Sequence, residues 1–143
     1  MLKAEHKEVA KLFAELEKKA TTPTRKRTIV RTVLSKLTTH ACLENEVMYP
    51  EVRRLVPDLE DNILESYEEH HVVDVLANEV AGMEETHERY FPKFTVLMEN
   101  VRHHVKEEGE EWFPTVRSHF SRTQLREIGL QMAELKLGRA HRA

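Results

Sequence analysis

Shifted by 64 residues, the chain lies over itself without a gap. His6 falls on His70, His40 on His104, Glu44 on Glu108 and Pro50 on Pro114. In the same register Glu5 falls on Glu69, Val9 on Val73, Glu46 on Glu110 and Arg53 on Arg117. A fold compatible with this repeat has two equivalent halves, each presenting the same polar groups at the same place. Those groups are imidazoles and carboxylates, both of them metal-ligand types. The repeat therefore predicts a duplicated metal site with pseudo-two-fold symmetry.

The spacing of apolar residues sets the architecture. Four segments carry stripes stepping by three and four: Leu2 to Leu16, Val30 to Val47, Ile63 to Val80, and Phe94 to Glu108. Each stripe lies on one helical face turned to a core. The matched histidines and glutamates sit inside these stripes. Breakers separate them: Thr21-Thr22-Pro23-Thr24, Val56-Pro57-Asp58 and Ala81-Gly82. Short connections make neighbouring helices antiparallel. A fifth stretch opens with Ser121-Arg-Thr-Gln, a capping-box variant. With 143 residues, 33% of them charged, and only four Gly and five Pro, one helical domain is expected. The prediction is an all-α, antiparallel up-down-up-down four-helix bundle with a short C-terminal fifth helix. It forms a single domain over 1–143, with helices over about 2–20, 25–54, 59–81, 88–118 and 121–137.

Charge and composition narrow the partners. A net charge of −3 gives no basic field, so no nucleic-acid partner is expected. No apolar run approaches the roughly 18 residues of a membrane span, and MLKAEHKEVAK does not read as a secretory signal. The lone Cys42 excludes an internal disulfide and suits a reducing compartment. A cytoplasmic monomer is the expectation.

The turn midpoints test whether the polar residues meet at one level. His6 and His40 are each 17 residues from Pro23. The midpoint of Glu44 and His70 is Pro57, and that of His70 and His104 is His87. All three midpoints fall in breaks, so the four helices bring His6, His40, Glu44, His70, His104 and Glu108 to one height. Within each His-x-x-x-Glu pair the two side chains share a helical face. Carboxylates in an apolar core are costly unless a cation meets them. Mixed imidazole and carboxylate ligation with open positions suits iron, and the carboxylates can bridge two ions. Two six-coordinate ions need about twelve ligand positions. Four imidazoles, two bridging carboxylates and an oxo or hydroxo bridge leave about two positions open for water, dioxygen or peroxide.

The segments AEHKEV, THACLENEVMYP, EEHHVVDVL and VRHHVKEEGEEWFP resemble the hemerythrin-like, HHE cation-binding domain family. The resemblance runs from Leu2 to about Leu137. It implies a four-helix bundle holding a non-haem di-iron centre, with His6, His40, Glu44, His70, His104 and Glu108 as ligands and dioxygen-related chemistry. Oxygen-carrying members have a further His on the third helix, four residues after the first, and an Asp in the fourth. Here position 74 is Asp and the fourth helix offers Glu108. This departure points away from a reversible carrier.

The remaining polar residues carry smaller expectations. The repeat register selects His70 over His71 and His104 over His103, while His87, His119 and His141 are expected at the surface. Two Glu-x-x-His strings, Glu68 to His71 and Glu84 to His87, lack the partner helices that a ferritin-like site needs. Tyr49 stands where the second repeat has Phe113. Its hydroxyl either reaches the metal or a bound oxygen species, as a catalytic proton donor, or is a packed aromatic with a satisfied hydroxyl. Asp74 stands opposite Ala10 and is read as a solvated or salt-bridged side chain, with a metal ligand or a partner to an imidazole N–H as the alternatives. Cys42 is read as inert, Trp112 as a roof that excludes water, and Glu46, Glu107, Glu110 and Glu111 as a solvated face. The expected function is a di-iron protein that reacts with dioxygen or peroxide, in sensing, scavenging or a peroxidase- or catalase-like turnover. The alternative is a reversible oxygen carrier or an iron store without turnover.

Overall fold

The computed structural model describes residues 2–142, with side chains as far as residue 139. Helix α1 (Leu2–Glu17) is followed by α2 (Pro23–Leu43), which runs through a π-helical turn (Glu44–Met48) into α3 (Tyr49–Leu55). A 3-10 turn (Pro57–Leu59) leads into α4 (Glu60–Ala81). Helix α5 (Tyr90–Glu107) passes through a second π turn (Glu108–Trp112) into α6 (Phe113–His119), and α7 (Arg122–Arg142) closes the chain. Among the described residues there is no strand and no helix long and apolar enough to cross a membrane. Helix α1 packs on α2, α2 on α4, α4 on α5, and α5 on α1, which is the expected up-down-up-down order. Helix α7 lies against α2 and the first π turn.

Local chemistry fixes the helix ends. The Thr22 hydroxyl accepts from the Arg25 backbone N–H at 3.2 Å, and Pro23 occupies the first turn of α2. Helix α1 stops at Glu17, three residues before the expected end. There the Thr21 hydroxyl donates to the Glu15 carbonyl, and the chain turns. At the start of α7, Ser121 Oγ accepts from the Gln124 backbone N–H, and Gln124 Oε1 accepts from that of Ser121, completing the capping box. Helix α7 continues past 137 to Arg142, running through Gly138, whose cost of about 1 kcal/mol weakens a helix without ending it as proline does.

The two π turns were not expected. They begin at Glu44 and Glu108 and end at Met48 and Trp112, so they obey the same 64-residue register. Each stands just before a proline, Pro50 or Pro114. A proline inside an α-helix has no N–H to donate and its ring strikes the preceding turn. Widening that turn relieves the clash without ending the rod. The Asn45 carbonyl, which Pro50 cannot serve as a donor five residues on, accepts instead from the Tyr67 hydroxyl at 3.3 Å.

The core is divided. One apolar layer gathers Phe13, Ile29, Val33, Phe94 and Leu97. The other gathers Leu43, Tyr49, Ile63 and Trp112, together with Ile128 and Met132 of α7. The buried polar side chains His40, Glu44, His70, His104 and Glu108 lie between the two, beside His6.

Candidate metal centre

The four rods deliver six side chains to one height. His6 comes from α1, His40 from α2, Glu44 from the first π turn, His70 from α4, His104 from α5 and Glu108 from the second π turn. The Nε2 atoms of His6 and His40 are 3.0 Å apart, and those of His70 and His104 are 3.1 Å apart. Glu44 Oε1 lies 3.0 Å from His40 Nε2 and 3.3 Å from His70 Nε2. Glu108 reaches both imidazole pairs as well, at 2.7 Å to His104 Nε2 and 3.4 Å to His6 Nε2. Each carboxylate thus spans the two halves.

Outward partners decide which imidazole nitrogen faces inward. His40 Nδ1–H donates to Glu5 Oε2 at 2.7 Å, and His70 Nδ1–H donates to Asn45 Oδ1 at 2.8 Å. The Nδ1 of His104 faces Glu69 Oε2 at 3.6 Å. With the proton on Nδ1, each neutral ring turns the Nε2 lone pair towards carboxylate oxygens, as outer partners of metal-binding imidazoles do. Among the described residues, Glu44 Oε1 and Glu108 Oε2 are buried with no hydrogen-bond donor. Lone pairs converging on orphaned oxygens in an apolar core form a cradle for cations. Two sets have their ligand atoms within 4.8 Å of one another: Glu44, His70, His104 and Glu108, and then His6, His40 and Glu108. Glu108 is common to both. The buried group is therefore able to bind metal.

Without a cation the cluster takes up protons instead. Burial alone would depress His40 and His104, but the Glu44 and Glu108 carboxylates outweigh it and raise them to about 10 and about 11. Burial, aided by the charge on His40, lowers His6 to about 4. Burial would raise Glu44, yet hydrogen bonding with Glu108 and the charge on His40 hold it well below the usual carboxylate range. Burial and the neighbouring Glu44 charge push Glu108 up to about 8. Glu5 sits at about 2, because hydrogen bonds from His40 and Lys136 overcome its own desolvation.

Tyr49 enters this cluster because of the π turn. An i→i+5 turn stacks residue 49 over residue 44, whereas an α-helix would swing it away. The Tyr49 hydroxyl donates to Glu108 Oε1 at 2.7 Å and lies 3.2 Å from His104 Nε2 and 3.3 Å from both His70 Nε2 and Glu44 Oε2. Its ring is fully buried and lies 5.4 Å from the His70 ring, with Trp112 over it at 5.0 Å. In the other half Phe113 stacks on His6 at 6.0 Å. The aromatic contact is duplicated and the hydroxyl is not. Burial and the two carboxylates push the phenol well above its ordinary range, so it keeps its proton.

The structure brings together all six residues read from the repeat, and Tyr49 with them. His71, His87, His103 and His119 are exposed, and the side chain of His141 lies outside the described residues. Asp74 is exposed too, at the edge of a cavity of about 50 Å³ that borders all four inward imidazoles. Cys42 is half-buried, with the Arg139 guanidinium 3.4 Å from its sulfur, and burial raises its thiol. Of the acidic face, Glu107 is half-buried and pairs with His103 at 2.8 Å. Sequence reasoning assigned no role to Glu5, Glu69 and Asn45. The first two had a signal, since both precede a matched histidine in the same register. Asn45 had none, because its counterpart is Gly109.

A family model described as the hemerythrin HHE cation binding domain matches residues 1–116. No curated protein and no solved structure matches significantly.

Proposed function

Because the chain belongs to the hemerythrin HHE cation-binding domain family, we propose that it is a non-haem di-iron protein whose centre reacts with dioxygen or peroxide. His6, His40, Glu44, His70, His104 and Glu108 would hold the metal, with Glu44 and Glu108 spanning the two positions. Iron bound there supplies a reducible pair that can exchange electrons with a small oxidant.

The chain's own groups supply the rest. Glu5 and Asn45 orient His40 and His70 through Nδ1, and Glu69 faces the Nδ1 of His104 at longer range. Val9 and Val101 give the cavity apolar walls and Trp112 covers the phenol ring, so charges at the centre act through a weakly polar surrounding. Tyr49 holds a proton among both carboxylates and two imidazoles.

The observation that carries the proposal is the broken symmetry of Tyr49 and Phe113. Packing against the imidazole is served equally by either ring, as the Phe113–His6 contact demonstrates. A buried hydroxyl is retained only in the half where it points at the ligands. Breakdown of peroxide consumes protons, and a positioned donor within hydrogen-bond reach accelerates such steps. A reversible carrier or an iron store gains nothing from it.

The test is to load the protein with iron anaerobically, measure iron per chain, and follow peroxide consumption. The wild type is expected to hold two irons per chain and to consume peroxide. Tyr49→Phe is expected to keep the iron and lose most of the rate, about a hundredfold for one general-acid group. Unchanged consumption in Tyr49→Phe would falsify the donor role. A wild type that purifies from iron-rich medium with well under two irons per chain sinks the di-iron reading.

A further inference from the structure

The duplicated halves differ in what stands behind their histidines. In one half, Glu5 accepts from His40 Nδ1 at 2.7 Å through Oε2, and from Lys136 Nζ at 2.8 Å through Oε1. Lys136 belongs to α7, which follows the family-matched segment 1–116. In the other half, Glu69 occupies the place of Glu5 but stands 3.6 Å from His104 Nδ1, too far for a good hydrogen bond. No lysine or arginine pairs with Glu69 among the described residues, and its Oε1 is buried without a donor. The neighbours there are His103 and Glu107.

Lys136 is well placed to act on its half alone. It lies at a cleft of about 130 Å³ between α1, α2 and α7 that reaches down to Glu5 and His40. Helix α7 is fastened independently of it, by buried Ile128 and Met132 and by the contact of Arg139 with Cys42 on α2. The ammonium therefore rests on a fixed rod and holds one oxygen of Glu5, leaving the other for the imidazole.

We infer that Lys136 is a positioning residue for one half of the metal centre, restraining His40 through Glu5 so that the two metal positions release their ions at different rates. The inference rests on the two-ion reading above. The His6/His40 position is the slowly exchanging one, because the His40 ring is tied through Glu5 to α7. The His70/His104 position is the labile one: Asn45 accepts from His70, but His104 has only a long contact to Glu69, and among the described residues no ammonium fixes either of these outer partners. The tie to Glu5 lies outside the repeated segments, because Lys136 belongs to the added helix.

The experiment uses the full chain loaded with cobalt(II) and mixed with an excess of chelator, with release followed by the loss of the cobalt absorption. The wild type is expected to release two ions in two phases of equal amplitude. Lys136→Met is expected to speed the slower phase about fivefold, the scale of one partly exposed ion pair, and to leave the faster phase unchanged. Lys136→Arg restores the slow phase, and Glu69→Gln moves only the faster one. Helix content by circular dichroism is expected to be the same in all four proteins, separating restraint from loss of α7. A single phase in the wild type overturns the inference, as does a Lys136→Met variant that changes both phases equally or neither. Slower release in that variant means charge repulsion rather than restraint, and overturns it as well. A wild type that binds no cobalt(II) overturns the metal-centre reading itself, whereas two bound ions with one phase overturn only the role of Lys136.

Discussion

Filling the centre with a divalent metal should expel protons, and the shifted proton affinities of its ligands give their number. In the metal-free protein His40 at about 10 and His104 at about 11 each carry an extra proton at pH 7.5. Glu108, pushed up to about 8, carries part of a further proton, and His6 at about 4 brings none. Metal ligation needs every one of those lone pairs free. Loading both positions therefore releases between two and three protons, about two from imidazolium and the remainder from Glu108. Each released proton adds about 1.4 kcal/mol per pH unit to the loading free energy, so the total grows by about 3–4 kcal/mol per pH unit. The metal-free fold moves the other way. His40 and His104 are raised above 6.5, so their contribution is full below pH 6.5 and is lost as pH rises through about 10 and 11. Glu108, raised from 4.5, loses its contribution between about 4.5 and 8, in the same direction. His6 is depressed below 6.5 and opposes this trend only between about 4 and 6.5. From pH 6.5 to 9 the melting temperature of the metal-free protein should fall while the gap to the loaded protein widens. Calorimetric titration with cobalt(II) in buffers of different ionisation enthalpy counts the protons directly. Fewer than one proton released at pH 7.5 would refute the assignment of the inward nitrogens and Glu108 as ligands.

Two substitutions probe the site in other ways. Glu108 faces both imidazole pairs, so Glu108→Ala should abolish binding of both ions, while His6→Ala should cost only the ion on its own side; metal analysis after dialysis separates these outcomes. Pro50 is exposed and contributes no packing, so Pro50→Ala restores a backbone N–H and lets the first π turn relax towards α-helix. The metal-free protein should then be at least as stable in thermal melts, while Tyr49 swings from Glu44 and metal affinity falls at least tenfold, the lower end of the loss seen when outer partners of a metal site are disturbed. Equal affinity in Pro50→Ala would mean that the π turn is not what sets Glu44 for the metal.

How much of this was legible in the sequence follows from which signals repeat. Helix count, order and inward faces could be read because apolar periodicity is duplicated and the breakers between stripes are short and unambiguous. The choice of His70 over His71 and His104 over His103 could be read because one residue turns a side chain by about 100° and the register admits only one of each pair. The end of α1 could not, since it depends on a hydroxyl, Thr21, reaching back to Glu15. Nor could Asn45 or Lys136, which meet the site through tertiary contacts and have no counterpart in the other half. Tyr49 was an intermediate case. Its mismatch with Phe113 was visible, but α-helical geometry alone would have turned it from Glu44.

That last point ties the prolines to the chemistry. In the sequence Pro50 and Pro114 stood only as markers of the repeat. In the structure each lies one turn past a buried glutamate and forces the intervening backbone to widen, in both halves alike. The widened turn stacks the fifth residue over the first. Residue 49 is thereby set over Glu44 and residue 113 over Glu108, each with its ring against an imidazole of a neighbouring helix. The duplicated backbone thus offers two equivalent places for an aromatic side chain beside the ligands, and the chain puts a hydroxyl in only one. Symmetry builds the cradle from the prolines and the His-x-x-x-Glu pairs. In the proposed di-iron reading, reactivity is tuned at the single positions where the halves differ, because each such change acts on a site whose geometry the other half already secures.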